Sequence, residues 1–245
     1  MAVPEIHPGI LAGYLQPEEY PNSLALIPPP PAEGSAAFAL DEEVSRKSFE
    51  LRGTPRWDLA ARDADLRFPE AADVFSCALT IPITEKDTPH LYMLLRRTLA
   101  DAGMSTYTAK NEYQRKRPFM KNNEPICTPD EEEALRKDGS YPSGHTAIGW
   151  AWALILTEIA PDHTDAILAR GLAFGKSRNI CNVHWHSDVV QGRFMGAAAV
   201  ARLHADSAFL AEIEAAKVEF AAVSAKGLKP TQDCQAEADA LGHHL

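Results

Sequence analysis

The sequence predicts an all-α fold, a single-domain helical bundle, and three observations lead there. From Ser35 onward Ala, Leu, Glu and Arg recur at helical spacing. No run alternates convincingly with the period of two that a half-buried strand requires. The 245 residues, 45% of them apolar and 24% charged, suffice for one sizeable core and lack the bias of a disordered chain.

Taken in order, residues 1–34 read as an irregular arm. Pro4, Pro8, Pro17 and Pro21 precede Pro28-Pro29-Pro30-Pro31, a run that favours extended polyproline. The arm packs on the body, packs on a partner subunit, or is a loose terminus. The helical domain then spans 35–245. Ala36–Arg52, Pro55–Asp65, Phe68–Leu79 and Thr88–Ala102 carry the helical pattern, and Pro129–Lys137 adds a plain start signal. There Thr128 stands as N-cap, Pro129 takes the first helical position, and Asp130, Glu131, Glu132 and Glu133 load the turn where acids favour the helix dipole. That acidic run is structural and is assigned no metal. Ser143–Ile159, Thr164–Gly175 and Trp185–Ala205 continue the pattern, and after a break at Asp206 a last helix, Ser207–Ser224, closes the fold. The most apolar run, Thr146 to Ala160, is about 15 residues, short of the roughly 20 that span a bilayer, so it reads as a core helix without membrane insertion.

A net charge of −10 argues against a nucleic-acid partner, which wants a basic surface to displace counterions. An anionic substrate must then be drawn by a local positive pocket. The stretch with Lys110, Arg115, Lys116, Arg117 and Lys121 is the place for it. The four cysteines, Cys77, Cys127, Cys181 and Cys234, are widely spaced and lack zinc spacing. They are either unrelated buried thiols or two disulfides formed in an oxidising compartment. Of the three connectivities, Cys77–Cys127 with Cys181–Cys234 is favoured, because each bond would fasten a flexible segment near the site to the helical body. Closing a loop of about 50 residues contributes roughly 4 kcal/mol in the chain-entropy model. Met1-Ala2-Val3-Pro4 opens onto polar, Pro-rich sequence with no basic start and apolar run. A mature exported chain given an initiator Met has this form, and so does a cytosolic one.

Three blocks carry the chemistry. They are Lys110 with Arg117-Pro118, then Pro142-Ser143-Gly144-His145, then Ser177-Arg178 with His184 and Asp188. In the second, Ser143 can cap the helix that follows, leaving backbone N–H groups of the first turn to face an anion, and Gly144 lets the backbone approach it. His145 points near whatever those donors hold. In the third, His184 and Asp188 are four apart and share a face if helical, so the carboxylate can hold one ring nitrogen and orient the other. His186 should point elsewhere. A metal site of His184, His186 and Asp188 is the competing reading, but no further Cys, Glu or His ligand stands nearby in sequence. Lys110 and Arg117 lie two helical turns apart and can reach one spot, while Arg115 and Lys116 between them read as solvated.

Assembled, this is an inventory for phosphoryl transfer. Neutral His184 attacks phosphorus, and Asp188 holds its tautomer and stabilises the developing positive charge. Lys110, Arg117, Arg178 and the N–H groups of Ser143 and Gly144 neutralise the equatorial oxygens. His145 protonates the leaving alcohol, then takes a proton from the water that cleaves the phosphohistidine. Fixed cations do what metals do elsewhere, so no metal or other cofactor is called for. One imidazole neutral and one charged points to an optimum on the acid side of neutrality.

These blocks resemble the signature of the superfamily that joins type 2 phosphatidic acid phosphatases, bacterial nonspecific acid phosphatases and vanadium haloperoxidases. The string Gly139-Ser140-Tyr141-Pro142-Ser143-Gly144-His145-Thr146 is similar to the class A bacterial nonspecific acid phosphatases in particular. The likeness runs from about Phe75 to Ala205 and takes in Leu91-Tyr92-Met93-Leu94-Leu95 and Gly149-Trp150-Ala151-Trp152-Ala153. The resemblance implies a helical bundle of the acid phosphatase/vanadium-dependent haloperoxidase type. It implies a metal-independent phosphomonoesterase of broad specificity, periplasmic or secreted once its signal peptide is removed. Such enzymes are often homo-oligomers, are inhibited by vanadate, and pass phosphate to alcohols as well as to water. Their site roles carry over as phosphate binding by Lys110, Arg117, Ser143, Gly144 and Arg178, with His145 as acid, His184 as nucleophile and Asp188 as its partner. The expected partners are phosphomonoester substrates and inorganic phosphate. A vanadium-dependent haloperoxidase using the same anion cradle is the alternative. A membrane lipid phosphatase needs spanning helices that this sequence lacks, and a catalytically dead phosphate-binding module sits poorly with an intact His145/His184 pair.

Overall fold

Residues 3–243, described by a computed structural model, are predominantly helical. The main helices are α1 (Ala36–Ser48), α2 (Pro55–Arg62), α3 (Pro89–Met104), α4 (Tyr107–Tyr113), α5 (Gly144–Ile159), α6 (Thr164–Ile180), α7 (His186–Leu203), α8 (Ser207–Lys226) and α9 (Cys234–Leu241). Side-chain caps start several of them. Ser35 accepts from Phe38 N, Ser143 from Thr146 N, and Asp206 from Phe209 N, each supplying an acceptor that the first turn otherwise lacks. Pro55 and Pro89 open α2 and α3, where a missing N–H costs nothing.

The all-α expectation holds, and α5 is the axis of the bundle. It packs on α3, α6 and α7, and fully buried Trp152 fills the space between them. The Trp152 indole N–H is not orphaned there, because it donates to Leu95 O at 3.0 Å. Glycine lets the backbones close in. A Cβ at Gly192 of α7 would sit 2.5 Å from Ser143 O, so α7 could not approach the start of α5 with any larger residue. Among the described residues no helix is long and apolar enough to cross a membrane.

Several element bounds differ from the sequence expectation. Helix α6 continues past Gly175 to Ile180 and so carries Arg178 in its last turn. Pro129–Lys137 is not one helix but a 3-10 turn (Pro129–Glu131) and a single α turn (Glu132–Leu135). Thr128 holds the N-cap position, but its side chain accepts no backbone N–H; its hydroxyl donates to the Glu131 carboxylate at 2.9 Å. Phe68–Leu79 likewise breaks into Glu70–Phe75 and Ser76–Leu79. Helices α4 and α9 lie outside the sequence expectation. Residues read as an irregular arm include a small antiparallel hairpin, β1 (Glu5–His7) and β2 (Ile10–Leu11), with left-handed Gly9 in its turn. The chain just beyond it is fixed to α3. Buried Asp101 accepts from Tyr14 N and Leu15 N, both at 3.0 Å, and Arg97 lies 3.7 Å from the Tyr14 ring centroid while donating to Gly13 O.

All four cysteines are bonded, Cys77 to Cys234 and Cys127 to Cys181. The favoured pairing Cys77–Cys127 and Cys181–Cys234 is therefore wrong. Cys181, at the end of α6, shares a small apolar cluster with Phe119, Ile126 and Val183, and Cys127 packs against that cluster. Helix α9 lies against α2, which brings Cys234 beside the Ser76–Leu79 turn. Tertiary proximity selects the partners, and sequence separation carries no record of it.

Candidate active site

The three sequence blocks meet in one cavity of about 200 Å³. Lys110, Arg117, Gly144, His145, Arg178 and His184 all line it. Ile6 and Ile10 of the hairpin join Leu66 and Ile148 on its apolar side, so the N-terminal segment forms part of the wall.

Ser143 supports this site differently from the sequence expectation. Its hydroxyl accepts from Thr146 N and Thr146 Oγ1, and its own N–H donates to the Asp188 carbonyl at 3.0 Å. That N–H is committed to tying α5 to α7, so the helix-start donors without an intrahelical acceptor are those of Gly144 and His145.

Lys110 and Arg117 converge, but not along one helix. Helix α4 ends at Tyr113, left-handed Gln114 turns the chain, and Arg117 reaches back from a non-helical segment. The Lys110 ammonium donates to Gly139 O at 2.6 Å. Burial pushes its pKa down to about 8, with Arg117 adding to the shift. The Arg117 guanidinium donates to Leu135 O, Val183 O and the Asp138 carboxylate. Asp138 Oδ2 lies 3.0 Å from Arg117 and 3.3 Å from Lys110, a carboxylate on the rim of the cationic pocket that sequence reasoning passed over.

Arg178 is different. It is fully buried, and Nε, Nη1 and Nη2 have no hydrogen-bond partner among the described residues. Burial lowers its pKa to about 10. A buried cation with every donor unpaired costs several kcal/mol unless an anion completes it.

His184 also sits outside a helix. It lies in the turn between α6 and α7, with Trp185 as N-cap and Asp188 as the third helical residue. The pairing foreseen on a helical face arises instead from capping geometry. Asp188 Oδ2 accepts from Trp185 N at 2.8 Å and lies 3.3 Å from His184 Nδ1. On the other side, His184 Nε2 is 3.1 Å from Arg117 Nη1. A guanidinium only donates, so Nε2 holds a lone pair and Nδ1 carries the proton. His145 Nε2 is 2.9 Å from Ala64 O, and a carbonyl only accepts, so this nitrogen carries a proton and Nδ1 is left free. Burial, followed by the nearby arginines, holds both imidazoles well below the usual histidine range. His186 opens α7, is half-buried and does not line the cavity. No cluster of three or more His, Cys, Asp or Glu among the described residues has the geometry to hold a metal.

Arg115, expected to be solvated, is buried. Nη1 donates to Asp188 Oδ1 at 2.6 Å and Ser187 Oγ at 2.7 Å, and Nη2 donates to Asp41 Oδ2 at 2.7 Å. Nothing in a single sequence marks one arginine among several cations as the buried one. Asp41, on α1, carries no signal at all.

Residues 91–209 match the PAP2 superfamily. The chain is 47% identical over 209 residues to a non-specific acid phosphatase of Providencia stuartii, covering 85% of this chain and 84% of that protein. It is 44% identical to the non-specific acid phosphatase of Salmonella typhimurium, covering 79% and 78% of the two. To an acid phosphatase of Zymomonas mobilis it is 42% identical, covering 81% and 75%.

Proposed function

This chain belongs to the PAP2 superfamily and is an acid phosphatase, and from that premise we propose that it hydrolyses phosphomonoesters through a phosphohistidine on His184, without a metal. The observation that carries the reading is the unpaired Arg178 guanidinium, buried in the wall of the cavity that both imidazoles also line. A phosphoryl group is an anion whose oxygens can accept from that guanidinium.

The oxygens of a bound phosphoryl group take donors from Lys110, Arg117, Arg178 and the N–H groups of Gly144 and His145, while Ser143 holds the helix start in place. Arg117 turning its Nη1–H to phosphate releases the His184 Nε2 lone pair. That lone pair attacks phosphorus, forming the P–N bond as the P–O bond to the leaving alcohol breaks. Asp188, accepting from Nδ1–H, stabilises the imidazolium that results. His145 is neutral in the free protein, and the incoming dianion favours its protonation at Nδ1, so it can give that proton to the leaving oxygen. It then takes one from the water that attacks phosphohistidine, restoring neutral His184 and releasing phosphate. An alcohol in place of that water receives the phosphoryl group instead. Fixed cations supply the charge stabilisation that a metal supplies in other phosphatases. The need for a protonated His145 beside a neutral His184 puts the optimum on the acid side of neutrality.

Two disulfides support a home in an oxidising compartment, the periplasm or outside the cell, reached through a removable signal peptide. The acid-phosphatase names of the relatives favour hydrolysis over haloperoxidation.

Rapid quenching into alkaline denaturant, with an aryl phosphate labelled in the phosphoryl group, tests the mechanism. Wild-type protein should yield acid-labile, base-stable label that His184→Ala lacks. Full turnover by His184→Ala, or label on a different side chain, overturns it.

A further inference from the structure

Asp188 is fully buried, and both of its oxygens are engaged by different parts of the chain. Oδ2 faces Trp185 N and His184 Nδ1, as the reaction requires. Oδ1 has one charged partner, the Arg115 guanidinium at 2.6 Å. Arg115 is itself gripped. Its second nitrogen donates to Asp41 Oδ2, and Asp41 closes a ring by accepting Ser187 N on Oδ1 and Ser187 Oγ–H on Oδ2, each at 2.7 Å. The Arg115 side chain is 8% exposed and that of Asp41 1%. The Tyr141 and Trp185 rings stand 5.8 and 5.5 Å from the guanidinium.

We propose that Arg115, clamped by Asp41, is a positioning residue for this reaction. It holds Asp188 as a carboxylate in the one orientation that fixes the His184 tautomer. The inference rests on His184 being the nucleophile and extends that reading to residues outside the cavity.

The physical argument starts from charge. Burial raises the Asp188 pKa, and Arg115 is the strongest influence lowering it. The charged and titratable groups that face Asp188 are Arg115 and His184 directly, with Lys110, Arg117 and Tyr141 further off and Asp41 behind Arg115. Lys110 and Arg117 sit at the phosphate, and a bound dianion spends their field. Arg115 is then the cation that remains to keep Asp188 ionised as the imidazolium develops. The cluster of Asp41, Asp188 and Arg115 carries a net charge of −1 before reaction, and the positive charge arriving on His184 brings it to neutrality. A planar fork spans two carboxylates at once, whereas a lysine ammonium is a single point charge.

Arg115→Met, Arg115→Lys and Asp41→Asn test this against an aryl phosphate across pH, with inorganic phosphate as competitive inhibitor. Arg115→Met should lower kcat by on the order of 10²-fold or more, as loss of a tautomer-fixing partner does, with phosphate inhibition within about threefold of wild type. The acid limb of its kcat profile should move to higher pH, because Asp188 without its cation takes up a proton sooner. Arg115→Lys should recover part of the loss, and Asp41→Asn should shift the limb in the same direction by less. Combined with Asp188→Asn, Arg115→Met should add almost nothing. A wild-type kcat and acid limb in a merely less stable Arg115→Met overturns the proposal, as do losses that multiply with those of Asp188→Asn. Should Arg115→Met not fold, an Asp41→Asn protein with a wild-type acid limb overturns it as well. Failure of the underlying reading looks different, since His184→Ala would then still turn over.

Discussion

Arg117 Nη1 stands 3.1 Å from His184 Nε2, so in the proposed mechanism the cation that takes phosphate also covers the lone pair that attacks it. In that mechanism, substrate binding redirects one donor and thereby exposes the nucleophile. The same contact assigns the tautomer, because a nitrogen that accepts from a guanidinium carries no proton, and the remaining N–H must face Asp188.

Asp188→Asn keeps the shape of that partner and removes its charge. The expected result is a kcat lower by about 10³- to 10⁴-fold, with inorganic phosphate inhibiting almost as before. His186→Ala, whose side chain stays out of the cavity, should keep most of the activity. Steady-state kinetics on the two variants check this, and equal losses would contradict the assignment.

Arg178→Met should separate stability from function. Removing a fully buried, unpaired guanidinium relieves a desolvation cost, so Tm without phosphate should rise by about 2–8 °C, equivalent to roughly 1–3 kcal/mol. Saturating phosphate should raise the wild-type Tm and leave the variant's unmoved, and turnover should be lost. Thermal melts with and without phosphate read both effects.

Asp138→Asn takes a carboxylate away from Lys110 and Arg117. At pH 6, below the Lys110 pKa of about 8, inorganic phosphate should inhibit the variant about three- to tenfold more tightly, because it no longer competes with Asp138 for the two cations. Inhibition constants measured at fixed ionic strength decide it, and unchanged or weaker inhibition goes against the prediction.

Asp101, which fastens the segment behind the hairpin, is raised from 3.8 to about 6, chiefly by burial. Its folded-state pKa stands above the unfolded value, so its contribution is full below pH 3.8 and is lost as pH rises through about 6. Relative to Asp101→Asn, the wild type should therefore gain about 3 kcal/mol as pH falls from above 6 to below 4. Denaturant unfolding of both proteins over that range gives the difference directly, and parallel profiles would refute the shift.

Chelators should leave activity unchanged if, as proposed, lysine and arginine supply the fixed charge. Activity that disappears with EDTA and returns with zinc would reinstate a metal at His184, His186 and Asp188.

What was legible in the sequence follows from how local each cause is. Helix α5 reads clearly because Ser143 and the apolar run behind it act within a few residues. The meeting of Lys110 with Arg117, and of His184 with Asp188, was foreseen by helical spacing, and both pairs do meet. Neither does so along a helix: a left-handed Gln114 and the capping of α7 bring them together. Arg115 looks solvent-facing in the sequence because its burial depends on Asp41, 74 residues away, and on Asp188, 73 residues away. The disulfide partners are hidden from the sequence for the same reason. A reactive cluster is local chemistry that short motifs record, while the shell that orients it is tertiary.

The two disulfides are nested, the Cys127–Cys181 bond lying wholly within the span closed by Cys77 and Cys234, 157 residues apart. A protease that cuts the chain once anywhere between residues 77 and 234 therefore releases no fragment. The nicked enzyme stays covalently whole and should run near full length on a gel until a thiol is added.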